Sequence, residues 1–69
     1  MTIAETVARI RELRSQYMTE HLRGMEHLDA GDYAAFGNSV ERERAILDEQ
    51  DGLIRSITDR AAHGGAGIR

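Results

Sequence analysis

Apolar side chains return along the first half of the chain at spacings of three and four: Ile3, Val7, Ile10, Leu13, Tyr17, Met18, Leu22, Met25 and Leu28. That rhythm lies near the helical repeat and gathers them into one stripe of an amphipathic helix. Glu5, Arg9, Glu12, Gln16, Glu20 and Arg23 fall on the opposite side and are expected to face water. Thr2-Ile3-Ala4-Glu5 has the spacing of a capping box, in which a threonine hydroxyl and a glutamate three residues later satisfy each other's free amides. The chain contains no proline, so the helix predicted from about residue 3 meets no breaker before about residue 29.

Asp29-Ala30-Gly31-Asp32 carries a helix stop and a new start. A glycine can take the left-handed conformation that ends a helix, and an aspartate beside it can cap the next one. The bend is therefore placed at 30–32 and a second helix at about 33–62, giving one domain, an all-α antiparallel two-helix hairpin over residues 1–62. In the second helix Tyr33, Val40, Leu47, Ile54 and Ala61 recur every seven residues, flanked by Phe36, Ile46, Leu53 and Ile57. Gly37-Asn38-Ser39 is its weak point, where Asn38 and Glu41 offer an alternative cap and a kink. The glycine-rich stretch from His63 to Arg69 shows no apolar pattern and is expected to be a mobile tail.

A bend centred on residues 30 and 31 makes antiparallel neighbours of residues whose numbers add to about 61, which sets Gly24 opposite Gly37 and allows a close approach there. Two unrelated, tolerated glycines explain the same residues equally well. The apolar face of the second helix is wider than one neighbouring helix can cover. Pairing two hairpins into a four-helix bundle is the economical solution, and docking a helix of a different protein is the alternative. The association interface is expected at Val7, Ile10, Tyr17, Met25, Tyr33, Phe36, Val40, Leu47, Leu53, Ile54 and Ile57.

Four polar residues interrupt these stripes: Arg14 and His21 in the first helix, Glu43 and Gln50 in the second. Burying them unpaired is costly, so Arg14, His21 and Glu43 are expected either to form a buried network that fixes register, or to reach the edge of the bundle and meet solvent. In the first case His21 would make association sensitive to pH between about 5 and 7.

Composition narrows the function classes. At 69 residues a chain has room for one small core, and without cysteine it lacks the usual disulfide support, which leaves association. The absence of cysteine and of a leader or apolar span gives the expectation of a cytoplasmic protein that does not enter a membrane. A net charge of −3 argues against general attraction to phosphate, although every one of the nine basic residues is arginine. Arg9, Arg11, Arg14 and Arg23 do not share a single helical face, so a charge-mixed surface is preferred to a nucleic-acid strip. None of His21, His27 and His63 has a carboxylate three residues before it, as paired-helix metal sites require. No phosphate-cradling glycine loop or cysteine nucleophile is present. The expectation is a non-enzymatic protein with no cofactor or metal, acting on itself or on a partner helix as an adaptor, scaffold or chaperone-like protein.

Two resemblances extend this reading. Leu28-Asp29-Ala30-Gly31-Asp32, between heptad-like helices in a chain of this length, resembles the bend of the Rop family of RNA-binding regulators. The resemblance implies two hairpins in an antiparallel four-helix bundle, with RNA contacted by basic, amide and aromatic side chains of the first helices, here Arg9, Arg11, Gln16 and Tyr17. Leu28-x-x-Gly31-Asp32-Tyr33-x-x-Phe36, followed by Val40-x-x-Glu43-Arg44 and Ile46-Leu47, is similar to helical flagellar export chaperones, and implies a protein that shields a substrate's helix.

Overall fold

A computed structural model describes the backbone of residues 1–68 and the side chains of residues 1–62. It contains two helices packed against each other, α1 (Ile3–Asp29) and α2 (Tyr33–Ile68), in a rod with principal extents of 56 × 16 × 15 Å. The start of α1 is the expected capping box. Thr2 Oγ1 accepts from the Glu5 amide at 3.1 Å, and the Thr2 amide donates to Glu5 Oε1 at 2.8 Å.

Backbone hydrogen bonds close the bend. The Gly31 amide donates to the Leu28 carbonyl at 3.1 Å and the Asp32 amide to that of His27 at 2.9 Å, the paired bonds of a Schellman end. Gly31 takes the required left-handed turn with φ of 76°. Asp32 then caps α2, its Oδ1 accepting from the Ala35 amide at 3.2 Å. Ala30 keeps right-handed helical geometry, which moves the centre of the reversal to Gly31 and Asp32.

That displacement corrects the expected register. Gly24 faces Ser39 rather than Gly37, and facing residues have numbers adding to about 63. Gly37 points into open space. α2 runs unbroken through Gly37-Asn38-Ser39 and on to Ile68. The side chains of residues 63–68 and all of Arg69, on which the expected tail falls, lie outside the described residues.

The inner seam repeats every three and four residues, with Thr6, Ile10, Leu13, Tyr17, Glu20, Gly24 and His27 on α1 meeting Phe36, Ser39, Glu43, Ile46, Gln50, Leu53 and Ile57 on α2. This differs from the single apolar stripe expected of α1. Met18, Leu22 and Met25 lie outside the seam and are exposed, whereas Glu20, assigned to the water-facing side, is 8% exposed and sits within it. The physical reason is width. Two helices touch along a seam only two residues wide, and near the bend that seam accepts small and polar residues because the backbones are close.

Candidate association face

The two long sides of the rod differ in chemistry. On one side Arg9 and Arg42 tie the helices together. Arg9 Nε donates to Glu49 Oε2 at 2.8 Å and its Nη2 to Oε1 at 3.1 Å, a bidentate pair across the hairpin. Arg42 Nε donates to Glu20 Oε1 at 2.6 Å while its Nη2 reaches Ser39 Oγ at 3.3 Å, and Arg23 stands 3.6 Å from the other Glu20 oxygen. These donors hold the Glu20 carboxyl below its ordinary value, the Arg42 hydrogen bond foremost, with Ser39 and the charges of Arg42 and Arg23 adding to it. Glu49 is lowered in the same way by its hydrogen bond from Arg9. Thr6, Leu13, Glu20 and Ser39 lean toward this side and are buried beneath it.

The opposite side carries Val7, Arg14, His21 and Leu28 from α1 beside Tyr33, Val40, Leu47 and Ile54 from α2, with Met18 and Met25 on its edge. Here the apolar groups stay uncovered. Tyr33 is 70% exposed, Met18 55% and Leu47 43%, and Val7, Leu28, Val40 and Ile54 are half-buried. Between them Arg14, Tyr17, Met18, Leu47 and Gln50 line a shallow hollow.

Of the residues expected at an interface, Val7, Ile10, Tyr17, Met25, Tyr33, Phe36, Val40, Leu47, Ile54 and Ile57 lie on this broad side or on the seam row next to it. Leu53 falls on the seam row that leans the other way, with Ser39 and Ile46. Of the four polar residues, two make a direct polar contact. His21 Nδ1 lies 3.2 Å from Glu43 Oε1, and the His21 ring stacks on Tyr17 with centroids 5.8 Å apart. Arg14 and His21 are exposed within the single chain, and Arg14 sits two turns away beside Gln50, with no ion pair among the described residues. The buried polar residues of the seam are instead Glu20 and Ser39, both held by the exposed Arg42, a group that sequence reasoning missed. Its signal was the seven-residue spacing of Thr6, Leu13, Glu20 and His27.

The described side chains contain no group of three or more histidines or carboxylates placed to hold a metal ion, and no described helix is long and apolar enough to cross a membrane. What the surface offers is a long apolar strip flanked by a salt-bridged back. Compared with protein-family models, curated proteins and solved structures, the chain matches none.

Proposed function

We propose that this chain is a non-enzymatic, self-associating adaptor or scaffold, in which the broad apolar side of one hairpin packs on that of a second copy to complete a four-helix bundle. The observation that carries the reading is the imbalance of burial. Among the described residues Leu13 is the one large apolar side chain that the hairpin fully buries, while Tyr33, Leu47, Met18 and Met25 stay open to water. The accessible surface is 5134 Å², against about 4,300 Å² for a compact folded chain of this mass. The rod leaves more surface open than a compact chain would, and a second copy across an interface of standard size would cover roughly 800 Å² of it. Residues that face one another within the bundle would form its core, and the salt-bridged side would stay outside for other partners.

Sedimentation equilibrium combined with circular dichroism over a concentration series tests this, because a fold completed by association follows mass action. A discrete dimer whose helicity rises with concentration is expected. A fully helical monomer at micromolar concentration would overturn the proposal. A poorly helical monomer would also overturn self-association and assign the missing half of the core to a helix of another protein, the chaperone-like version of the same face.

The rival reading is a small RNA-binding regulator on the same bundle, for which Arg9, Arg11, Gln16 and Tyr17 are the candidate contacts. Arg9 already holds Glu49 and Glu12, which speaks for the protein-binding reading. Salt distinguishes the two, since phosphate contacts weaken steeply as salt rises and apolar association does not.

A further inference from the structure

The charges on the broad apolar side fix how a second copy would lie on it, an inference that rests on the self-association proposed above. Glu43 is level with His21 along the hairpin. Arg14 lies two turns nearer the start of α1, about 10 Å along the axis. It has no anionic partner in its own chain among the described residues, yet it lines the same hollow as Tyr17, Met18 and Leu47. Covering this side with a second hairpin takes Arg14 out of water, and a cation left unpaired in such a place is strongly destabilising.

Two arrangements of identical hairpins satisfy two-fold symmetry. With the axis along the rod, α1 of one copy lies over α2 of the other, so the level of Arg14 holds Arg14 and Gln50 of both copies and that of Glu43 holds Glu43 and His21 of both. Two arginines then share a level that contains no carboxylate, inside an apolar interface. With the axis across the rod, levels invert about a midpoint. The midpoint between Arg14 and Glu43 falls at Met18 and Leu47, close to the middle of the paired length of α1. Inversion about that point brings Arg14 level with Glu43 of the second copy at two symmetric places. It also sets Met25 level with Ile54 and Val7 level with Leu28, apolar against apolar. We infer that two hairpins join antiparallel through this side, about a two-fold axis passing between Met18 and Leu47, with Arg14 of each copy paired to Glu43 of the other.

The chain has no cysteine, so a single Ala30→Cys places one spin label at the bend of each copy. Antiparallel hairpins put the two bends at opposite ends, and a dipolar spin–spin distance of about 40 Å is expected from the helical rise. A distance under about 25 Å in a dimer would overturn the arrangement while leaving self-association intact. A monomer with no dipolar signal would remove both. A second arm reads the ion pair. Arg14→Glu, at a position exposed in the single hairpin, should weaken dimerisation by roughly tenfold while its helicity matches the parent's once both are fully dimeric. Adding Glu43→Arg to it should recover part of that loss. An Arg14→Glu variant that dimerises as tightly as the parent, or a double variant no tighter than the single, would show that these residues do not meet.

Discussion

Gly24 and Ser39 face each other across the hairpin so closely that a Cβ built on Gly24 would stand 3.1 Å from that of Ser39 and 3.7 Å from Cδ1 of Phe36. Ser39 is fully buried, and its hydroxyl accepts from Arg42, which in turn holds Glu20. The close contact and the polar cluster therefore form one unit: the backbones approach because Gly24 has no side chain, and that approach encloses Ser39. Gly24→Leu forces the helices apart and opens the cluster. A loss of about 2–3 kcal/mol is expected in urea unfolding, within the range for overpacking a tight contact. Gly24→Ala opposes a gain of about 1 kcal/mol in helix propensity to a contact only a few tenths of an ångström too short, and should be near neutral. Equal stability of the leucine variant and the parent would mean that the helices do not approach here.

The other glycines among the described residues separate by the same geometry. A Cβ at Gly37 or Gly52 meets nothing within 4 Å inside a continuous helix, so alanine at either should stabilise by about 0.5–1 kcal/mol. Gly31 also has open space but adopts φ of 76°, where alanine is strained, so Gly31→Ala should cost about 1 kcal/mol. Thermal melts of the three variants should move in opposite directions, up for residues 37 and 52 and down for residue 31.

These glycines also show how far the sequence can be read. The capping box, the Gly31 stop and the Asp32 restart are local signals, each needing residues within one turn, and the structure places both helices where those signals point. Packing between the helices is not local. Assigning Ala30 to the bend shifts the centre of reversal and moves every facing pair by two residues, which exchanges Ser39 for Gly37 opposite Gly24. Gathering all apolar residues of α1 into one stripe likewise merges two surfaces, the narrow seam through Leu13 and the open side bearing Met18. Residue type alone puts Glu20 on the water-facing side, although its seven-residue spacing from Leu13 and His27 marks it as part of the seam.

Acid should loosen the hairpin along its salt-bridged side and at the cap of α1. Glu20, Glu49 and Glu5 have carboxyls lowered from an ordinary value of 4.5, by hydrogen bonds from Arg42, Arg9 and the Thr2 amide respectively. A carboxyl that is more acidic when folded adds stability above its unfolded value and loses it as pH falls through the folded one. The melting temperature contributed by these groups should thus hold above about pH 5.5 and decline below about pH 4.5. Glu20→Gln should lower the melting temperature at pH 7 and make the decline in acid shallower. If parent and variant fall in parallel between pH 5 and 3, Glu20 does not carry this dependence.

Exposure alone does not make an interface, and two leucines allow the distinction to be measured. Leu22 is 57% exposed and Leu47 43%, so each offers an apolar side chain to solvent. Leu47 lies with Val40, Ile54 and Met18 on the broad side and lines the hollow beside Arg14. Leu22 lies on the back of α1, away from α2, at the same place in the seven-residue repeat as Ala8, Ser15 and Asp29. If apolar surface drove association without regard to position, Leu22→Glu and Leu47→Glu would weaken it alike. In the bundle proposed here Leu47→Glu buries a carboxylate near the two-fold axis twice over, once from each copy, and dimerisation should fall by about a hundredfold or more in sedimentation equilibrium. Leu22→Glu should leave the dimer within about twofold of the parent, since a substitution in water away from any contact changes little. A dimer that survives Leu47→Glu but not Leu22→Glu would move the association face to the back of α1.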